Sequence, residues 1–493
     1  MDRRDFLKTG ATVGVTSALG GEVLAKTPAP GGGFRLTGDY TPHHLPALHQ
    51  IGLYAAKHRR FHHLPGMTLA LVGPNGLDAR ITLGEADLET KKPVHPEQLF
   101  QIGSISKSFT AALIHQLASE GRLGLNDPVS QHLAGLPLPE GVDITINHLL
   151  AHSSGLPEEA PAFPRTPDGK LWVGFKPGSA WSYSNIGFAL LGNIVEAKDG
   201  RKLADSLKVR IFDKLGMQAT KGSLQPADRP LYATGYAQTD PDADYEPGIA
   251  LFPAPFDVMT DGAGCIGSNS PDMAKWLRWL IGAGAGQGGA VMSDAAAKAF
   301  AQPQIEAPGW AFKGASYGSG LAYVPLEGRM VMQHTGGMTA FHSSMHVDPK
   351  AAVGVFVSVN SGAGDYRPRD VSAYACALLR AAVAPEPGLH PKPAPLEWKK
   401  PAAAKLDTEG AKAENAALAG RYGGHFLSYG TVQLIAVKEG LALPDGTQLE
   451  KVEAGYWRVK GAPDIERFWF FDLLNGRPQT LSVSGLPFER LEP

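Results

Sequence analysis

The chain has 493 residues, of which 43% are hydrophobic and 19% are charged. This length and balance predict a globular protein with a large core and more than one domain. The formal net charge of -2 gives no electrostatic basis for binding nucleic acid or an anionic membrane, so we expect neither as a partner. The two cysteines, Cys265 and Cys376, are too few for a disulfide framework, and buried thiols are favoured over a single bridge between them.

Residues 1–25 have the features of an export signal rather than of a folded domain. Arg3 and Arg4 begin a segment that resembles a twin-arginine signal; a weakly apolar stretch and a small-residue cleavage site follow it. An ordinary basic N-terminus is the alternative interpretation. No cysteine follows the apolar stretch and no later apolar run reaches about 18 residues, so we expect neither a lipid anchor nor a transmembrane helix. The signal implies a mature protein that begins near Lys26 and is periplasmic or secreted in a bacterium.

Strand patterns near both ends of the main domain, residues 40–384, predict a single sheet. A hairpin is predicted at 67–72 and 80–84, around a Pro-Asn-Gly turn. Further strands are predicted at 319–324, 330–334, 342–347 and 353–359. The residues between about 104 and 310 are rich in helical patterns, including a helix that begins at Ser270. We therefore predict an α/β (α+β) fold, in which helices and a helical insertion flank an antiparallel sheet and a site lies in the cleft between them.

The C-terminal part of the chain changes in composition. Six prolines fall in residues 385–401, which predicts a semi-rigid linker over about 385–414. The patterns beyond it are mostly short strands, so residues 415–493 are predicted to form a small all-β domain, a lipocalin-like barrel or a sandwich. The prolines lead us to expect few contacts between this domain and the rest of the chain.

The segment 103–121 places Ser104 three residues before Lys107 on a predicted amphipathic helix that Gly121 ends. In the simpler interpretation, Ser104 caps the helix and Lys107 is a solvated surface residue. The alternative is chemical. Residues three apart face each other on a helix, and a lysine whose pKa is lowered by burial could take the proton of a nucleophilic serine.

Two more motifs follow this one along the chain: Tyr183-Ser184-Asn185 and His334-Thr335-Gly336-Gly337. In this order, with Ser104-Ile105-Ser106-Lys107, they resemble the motifs of the serine β-lactamase and penicillin-binding-protein superfamily, in its class C and DD-peptidase-like branch. The segments that surround them, such as LLAHSSGLP at 149–157, are also similar to that family.

The resemblance implies a role for each motif residue. Ser104 would attack a carbonyl carbon and form an acyl-enzyme, while Lys107 and Tyr183 would share the proton transfers, with the identity of the first base left open. The backbone N–H groups of Ser104 and Gly337 would form the oxyanion hole. No metal and no cofactor is implied.

The resemblance also implies a set of substrate-binding residues, Asn185, His334, Thr335 and Gly336. Asn185 can hold both the lysine and a substrate amide, and Gly336 would keep an edge-facing strand open for the substrate. His334 stands where β-lactamases usually have lysine. A histidine is mostly neutral at pH 7, which favours a peptidase, an amidase or an esterase. If protonated, His334 would instead hold a substrate carboxylate.

These features together predict a periplasmic serine hydrolase that acts on a D-amino-acid peptide or a related small amide or ester. A class C β-lactamase, a carboxylesterase and a non-catalytic protein that binds penicillin or cell-wall peptide are the alternatives. His148 and His152 are four residues apart, as zinc ligands on a helix can be, but no third ligand is evident and we expect them to be packing residues. Cys265 is expected near the cleft, without thiolate activation.

Overall fold

A computed structural model describes residues 33–491, except 140, 162–163, 239, 241–244, 363–367, 386–389, 401 and 425–429. The predicted export signal, residues 1–25, lies outside the described residues. No helix in the described ranges is both long enough and apolar enough to span a bilayer.

The larger domain contains fourteen of the described strands. In chain order they are β1 (Arg35–Asp39), β2 (Gly66–Val72), β3 (Asp78–Asp87), β4 (Lys92–Pro93), β5 (Phe100–Gln101), β6 (Tyr236–Gln238), β7 (Leu251–Pro253), β8 (Gly267–Ser268), β9 (Pro303–Glu306), β10 (Ser316–Gly318), β11 (Ala322–Leu326), β12 (Arg329–Met338), β13 (Phe341–Asp348) and β14 (Val353–Val359). Ten of them form one antiparallel sheet in the order β1-β3-β2-β14-β13-β12-β11-β10-β9, with β4 beside β3. The predicted sheet, built from both ends of the domain, is thereby confirmed.

Helices cover both faces of this sheet. They are α1 (Leu45–Phe61), α2 (Ser106–Ser119), α3 (Ile146–Leu150), α4 (Asn185–Asp199), α5 (Leu203–Leu207), α6 (Asp213–Leu215), α7 (Ser270–Gly284), α8 (Asp294–Phe300) and α9 (Arg369–Val383). β2 is buried along its whole length because alternate side chains face different cores. Leu69 and Leu71 pack with residues of α1 and α9, whereas Ala70 and Val72 pack with residues of α2 and α7.

The predicted hairpin is present, since β2 and β3 pair antiparallel from Gly66 to Val72. Its turn requires left-handed backbone at Asn75 (φ 54°) and Gly76 (φ 74°), which these two residue types tolerate best. The strand predicted at 319–324 is displaced, because Gly320 (φ 68°) lies in the turn between β10 and β11.

Eight strands close the predicted C-terminal barrel. They are β15 (Gly420–Gly424), β16 (Thr431–Val437), β17 (Gly440–Ala442), β18 (Gln448–Glu453), β19 (Tyr456–Val459), β20 (Arg467–Leu474), β21 (Arg477–Val483) and β22 (Leu486–Arg490), preceded by the short helix α10 (Ala413–Leu418). Tyr422, Trp457 and Phe468 are among the side chains that fill the interior.

The barrel packs tightly against the larger domain, so the expectation of few contacts between them is wrong. Trp172 is 5% exposed and lies in one apolar cluster with Tyr456 and Trp469 of the barrel. Its indole nitrogen donates a hydrogen bond of 2.9 Å to the carbonyl oxygen of Ile465. The prolines of the linker indicate a stiff connecting chain, but they carry no information on the interface between the barrel and the larger domain. That interface forms through Trp172, which is far from the linker in the sequence.

Candidate active site

Ser104 lies in a 3₁₀ turn, Gly103–Ile105, that leads into α2. It is the one residue of 101–110 that is partly exposed to solvent. The side chain does not cap α2, whereas the Nζ atom of Lys107 donates a hydrogen bond of 3.1 Å to the Ser104 Oγ atom. This geometry favours the chemical interpretation over the helix cap.

Lys107 is completely buried and is held by three acceptors. Besides Ser104, its Nζ atom donates to Oδ1 of Asn185 at 2.5 Å and to the carbonyl oxygen of Ala263 at 2.9 Å. Burial lowers the pKa of Lys107 to about 8, although the nearby carboxylate of Glu159 acts in the opposite direction. A neutral Lys107 amine has two N–H groups, which can donate to the oxygens of Asn185 and Ala263. Its lone pair would then point at the Ser104 hydroxyl.

Tyr183 completes this group, because its hydroxyl lies beside the side chain of Ser104, which acts to lower the pKa of the phenol. The ring lies 4.8 Å from Nζ of Lys107 and packs on His152, with ring centroids 4.3 Å apart. Burial raises the pKa of Tyr183 above its ordinary value, so the phenol stays neutral. Of the two candidate bases, Lys107 is the one whose pKa has moved toward neutrality.

Asn185 begins α4, whose N-cap is Ser184. The Asn185 Nδ2 atom donates to the carboxylate of Glu159, and its backbone N–H donates to the carbonyl oxygen of Glu158 at 2.8 Å. A carboxylate can only accept here, so this bond fixes the amide with Oδ1 toward Lys107. Sequence reasoning missed the two glutamates, although they directly follow the family-like segment 149–157.

The predicted oxyanion donors lie on adjacent backbone segments. A Cβ atom on Gly103 would lie 2.8 Å from the backbone nitrogen of Gly337, and one on Gly336 would lie 1.9 Å from the carbonyl oxygen of Ile102. Glycine is needed at Gly336 because the turn that carries Ser104 packs directly on this strand. The turn that carries Ser104 and the strand that carries Gly337 are thus in direct backbone contact.

The strand that carries these glycines, β12, lies inside the sheet rather than at its edge. β13 pairs with it from Met332 to Met338, but β11 pairs with it only from Arg329 to Gln333. Among the described strands, the part of β12 that includes Thr335 therefore has a partner on one side alone. A substrate could pair there as an additional strand.

His334 is fully buried beneath this strand, and both ring nitrogens have partners. Its Nδ1 atom donates to the carbonyl oxygen of Thr335 at 2.6 Å, and its Nε2 atom accepts from the Tyr317 hydroxyl at 2.8 Å. Burial, together with the ammonium of Lys107, lowers the pKa of His334 to about 3. The ring is therefore neutral at physiological pH.

An aromatic wall lies beside these groups. Trp310 has its ring centroid 5.1 Å from that of His334 and 6.0 Å from that of Tyr183. Trp181 meets Trp310 edge to face at 6.2 Å. Sequence reasoning did not single out either tryptophan, because no periodic pattern marks them. The wall gives the site an apolar side.

The two histidines considered as zinc ligands serve local structure. His148 forms a capping box with Thr145 at the start of α3, and Nδ1 of His152 accepts from the backbone nitrogen of Ser184 at 3.1 Å. Across the described ranges, no group of three or more His, Cys, Asp or Glu side chains is arranged to hold a metal ion. Cys265 is a buried free thiol whose pKa is raised by burial, and Cys376 is also free and buried.

Comparison with known proteins gives a consistent result. The Beta-lactamase family model matches residues 54–379. Penicillin-binding protein 4* of Bacillus subtilis (strain 168) is 36% identical over 194 residues, which cover 36% of this chain and 42% of that protein. The chain thus spans less than half the length of that relative.

Two solved structures are similar in fold. The octameric penicillin-binding protein homologue from Pyrococcus abyssi, 23% identical, covers 90% of this chain and 99% of its own with a TM-score of 0.59. The D-amino acid amidase from Ochrobactrum anthropi SV3, 25% identical, covers 65% and 93% with a TM-score of 0.53. The match to the family model confirms the predicted resemblance to this superfamily.

Proposed function

The chain belongs to the beta-lactamase family of serine hydrolases, and we propose that Ser104 is its nucleophile and Lys107 its first base. The observation that carries this proposal is the 3.1 Å contact between Nζ of Lys107 and Oγ of Ser104, made by a fully buried lysine. An amine with a pKa of about 8 is neutral in a useful fraction of molecules near pH 7 to 8.

The reaction would proceed in two halves. Neutral Lys107 takes the proton of Ser104 while Oγ attacks the carbonyl carbon, and the N–H groups of Ser104 and Gly337 bind the oxyanion. Tyr183, a neutral phenol beside Ser104 and Lys107, passes the proton of Lys107 to the leaving group as the intermediate collapses. Water then attacks the acyl carbon with Lys107 again as base, the Lys107 ammonium returns that proton to Oγ of Ser104 as the intermediate collapses, and the acid is released.

For the substrate, we favour a small amide or ester of a D-amino acid, or a D-amino-acid peptide that needs no carboxylate next to the scissile bond. A neutral His334 offers no cation to such a carboxylate, which argues against a class C β-lactamase. The similarity to the D-amino acid amidase supports an amide substrate. The aromatic wall of Trp181 and Trp310 fits an apolar acyl side chain. A carboxylesterase is the second candidate, since the same neutral site accepts esters.

Intact-protein mass spectrometry can separate these candidates. The protein is mixed with a D-amino acid amide, a D-Ala-D-Ala peptide, a short-chain ester and a penicillin, and both formation and loss of the adduct are followed. We expect rapid turnover of the amide or ester and a slow, long-lived adduct with penicillin. Rapid penicillin hydrolysis would instead identify a β-lactamase, and long-lived adducts with every compound a non-catalytic binding protein.

We also propose that the protein is exported to the periplasm through the twin-arginine signal in residues 1–25. The support is the sequence pattern itself. Replacing Arg3 and Arg4 by lysine should retain the protein in the cytoplasm, because this signal is read by a receptor. Unchanged export of the variant, measured by cell fractionation, would refute the signal.

A further inference from the structure

The C-terminal barrel places a carboxylate against the catalytic domain next to the candidate site. Glu466 directly precedes β20, and its carboxylate accepts a hydrogen bond from the hydroxyl of Ser484. The backbone N–H of Glu158 lies beside the same carboxylate and acts to lower its pKa, against the stronger effect of burial. Ser484 also belongs to the barrel and is 3% exposed. One end of this link is therefore held by the barrel, and the other lies on the segment that leads to Asn185.

The barrel backbone around Glu466 has little freedom to move. A Cβ atom on Gly174 would lie 2.6 Å from the backbone nitrogen of Ile465, so the two chains are in direct contact. The Ile465 carbonyl accepts the indole N–H of Trp172 at 2.9 Å. Glu466 is thus fixed in position by the docking contact of the barrel.

From Glu158 the link continues to the predicted base. The carbonyl oxygen of Glu158 accepts the backbone N–H of Asn185 at 2.8 Å, and the carboxylate of Glu159 accepts its Nδ2. Oδ1 of the same Asn185 then accepts from Nζ of Lys107 at 2.5 Å. A displacement of residues 158–159 would release both bonds that orient this amide.

We propose that Glu466 of the barrel is a positioning residue for the active site: by holding the Glu158 N–H, it keeps residues 158–159 on Asn185 and thereby keeps Lys107 aligned with Ser104. The barrel is then part of the catalytic unit. This inference rests on the proposed function, because it assumes that Lys107 is the base.

The charged groups that face Lys107 define what a displacement would change. Glu159, Asp261 and ionised Glu158 stabilise its ammonium. Burial raises the pKa of Glu158 to about 7, so this carboxyl titrates at the lower end of the pH range used below. The neighbouring histidines, His152 and His334, are neutral. If residues 158–159 move away, the ammonium loses part of this stabilisation and the pKa of Lys107 falls. A general loss of stability would not move this pKa.

The test uses Glu466→Ala, which removes the acceptor, and Glu466→Gln, which keeps a carbonyl acceptor in the same place. Glu453→Ala, at an exposed carboxylate of the barrel, is the control for loss of charge. The second-order rate constant for labelling by a fluorophosphonate is measured from pH 6 to 10 in the full-length protein. Glu466→Ala should lower the labelling rate constant about 10-fold to 100-fold, as small misplacements of catalytic groups do. It should also move the rise of the rate constant with pH to lower pH. Glu466→Gln should recover most of the rate without that shift, and Glu453→Ala should match the wild type.

Profiles of Glu466→Ala and wild type that coincide would overturn the proposal, as would equal effects of Ala and Gln. If Glu466→Ala does not fold, Ser484→Gly provides the second variant, since it removes the hydroxyl that holds Glu466 at a left-handed position (φ 50°) where glycine is tolerated. Ser484→Gly should move the rise of the labelling rate to lower pH, by less than Glu466→Ala. A rise at the wild-type pH would again overturn the proposal. Absence of labelling in the wild type would refute the proposed function instead, so the two failures are distinguishable.

Discussion

The hydroxyl of Tyr317 lies 2.8 Å from Nε2 of His334 and saturates the ring nitrogen that would otherwise be free. Burial keeps the ring neutral, and Nδ1 carries its one proton because it donates to the carbonyl oxygen of Thr335. Nε2 is therefore the acceptor of the Tyr317 hydroxyl. The position that holds a permanent cation in related lysine-containing sites is therefore uncharged here.

The neutral ring of His334 predicts that the preference for a carboxylate substrate over its methyl ester does not change with pH. Since burial lowers the pKa of His334 to about 3, the ring stays neutral between about pH 5.5 and 8.5. The ratio of kcat/KM for a carboxylate substrate to that for its methyl ester should not change over this range in the wild type. In His334→Lys the ratio should rise about tenfold, as expected for a charge-assisted hydrogen bond. A wild-type ratio that falls as pH rises through 6.5 would restore the cationic role of His334.

A second prediction concerns Lys107. Its lowered pKa of about 8 means that the neutral, reactive amine accumulates as pH rises through that value. The rate of Ser104 labelling should therefore increase from pH 6 to 9 with a midpoint near 8; this increase is the rising limb of the pH profile. Lys107→Met should abolish the rising limb together with most of the rate. Tyr183→Phe should retain the limb at a lower rate. Loss of the limb in Tyr183→Phe, with its persistence in Lys107→Met, would make the tyrosine the base.

Buried neutral histidines predict acid sensitivity of the fold. Burial lowers the pKa of His115 to about 4 and that of His346 to about 3, as it does for His334. Each folded pKa lies below the unfolded value near 6.5, so the unfolded state binds more protons as pH falls below 6.5. The stability contributed by each neutral ring is complete above about pH 6.5 and is lost progressively toward the folded pKa, at up to about 1.4 kcal/mol per pH unit.

Urea unfolding at pH values from 7.5 to 4.5 measures this dependence. His115→Gln should reduce the slope of the unfolding free energy against pH by about one proton. Parallel curves for the variant and the wild type would mean that His115 has the same pKa in the folded and unfolded states, which would contradict its burial as a neutral ring.

Removal of the barrel should damage the larger domain. A chain that ends at Ala384 exposes Trp172, which is 5% exposed in the full chain. Loss of the packing around a buried tryptophan costs about 3–5 kcal/mol in core substitutions, so the melting temperature and the labelling rate should both fall. Calorimetry and labelling of the shortened chain test this. Values equal to those of the full chain would mean that the barrel is dispensable.

The sequence predicted the elements that local patterns encode. The β2–β3 hairpin follows from alternating apolar residues around Asn75 and Gly76, and the motifs of Ser104, Tyr183 and His334 identified the residues that the fold brings together. These signals are short-range or family-specific, so they can be read without coordinates.

The sequence could not predict relationships that arise only from packing. The neutrality of His334 depends on Tyr317, which lies on a neighbouring part of the sheet, and the docking of the barrel depends on Trp172, more than two hundred residues before it. Glu159 was missed because a glutamate beside another glutamate usually indicates a solvated surface. Only its contact with Asn185 distinguishes it.

The central claim is that Ser104 is the nucleophile, and the most direct measurement is the mass of the intact protein after reaction with a fluorophosphonate, followed by peptide mapping. Ser108→Ala is the matched control, because Ser108 lies on α2, just after the turn that carries Ser104, and its hydroxyl donates to the carbonyl oxygen of Ile105 inside the core. We predict one adduct per chain, located on Ser104, in the wild type and in Ser108→Ala, and no adduct in a folded Ser104→Ala variant. An adduct that persists in folded Ser104→Ala, or that maps to another residue in the wild type, would contradict the account.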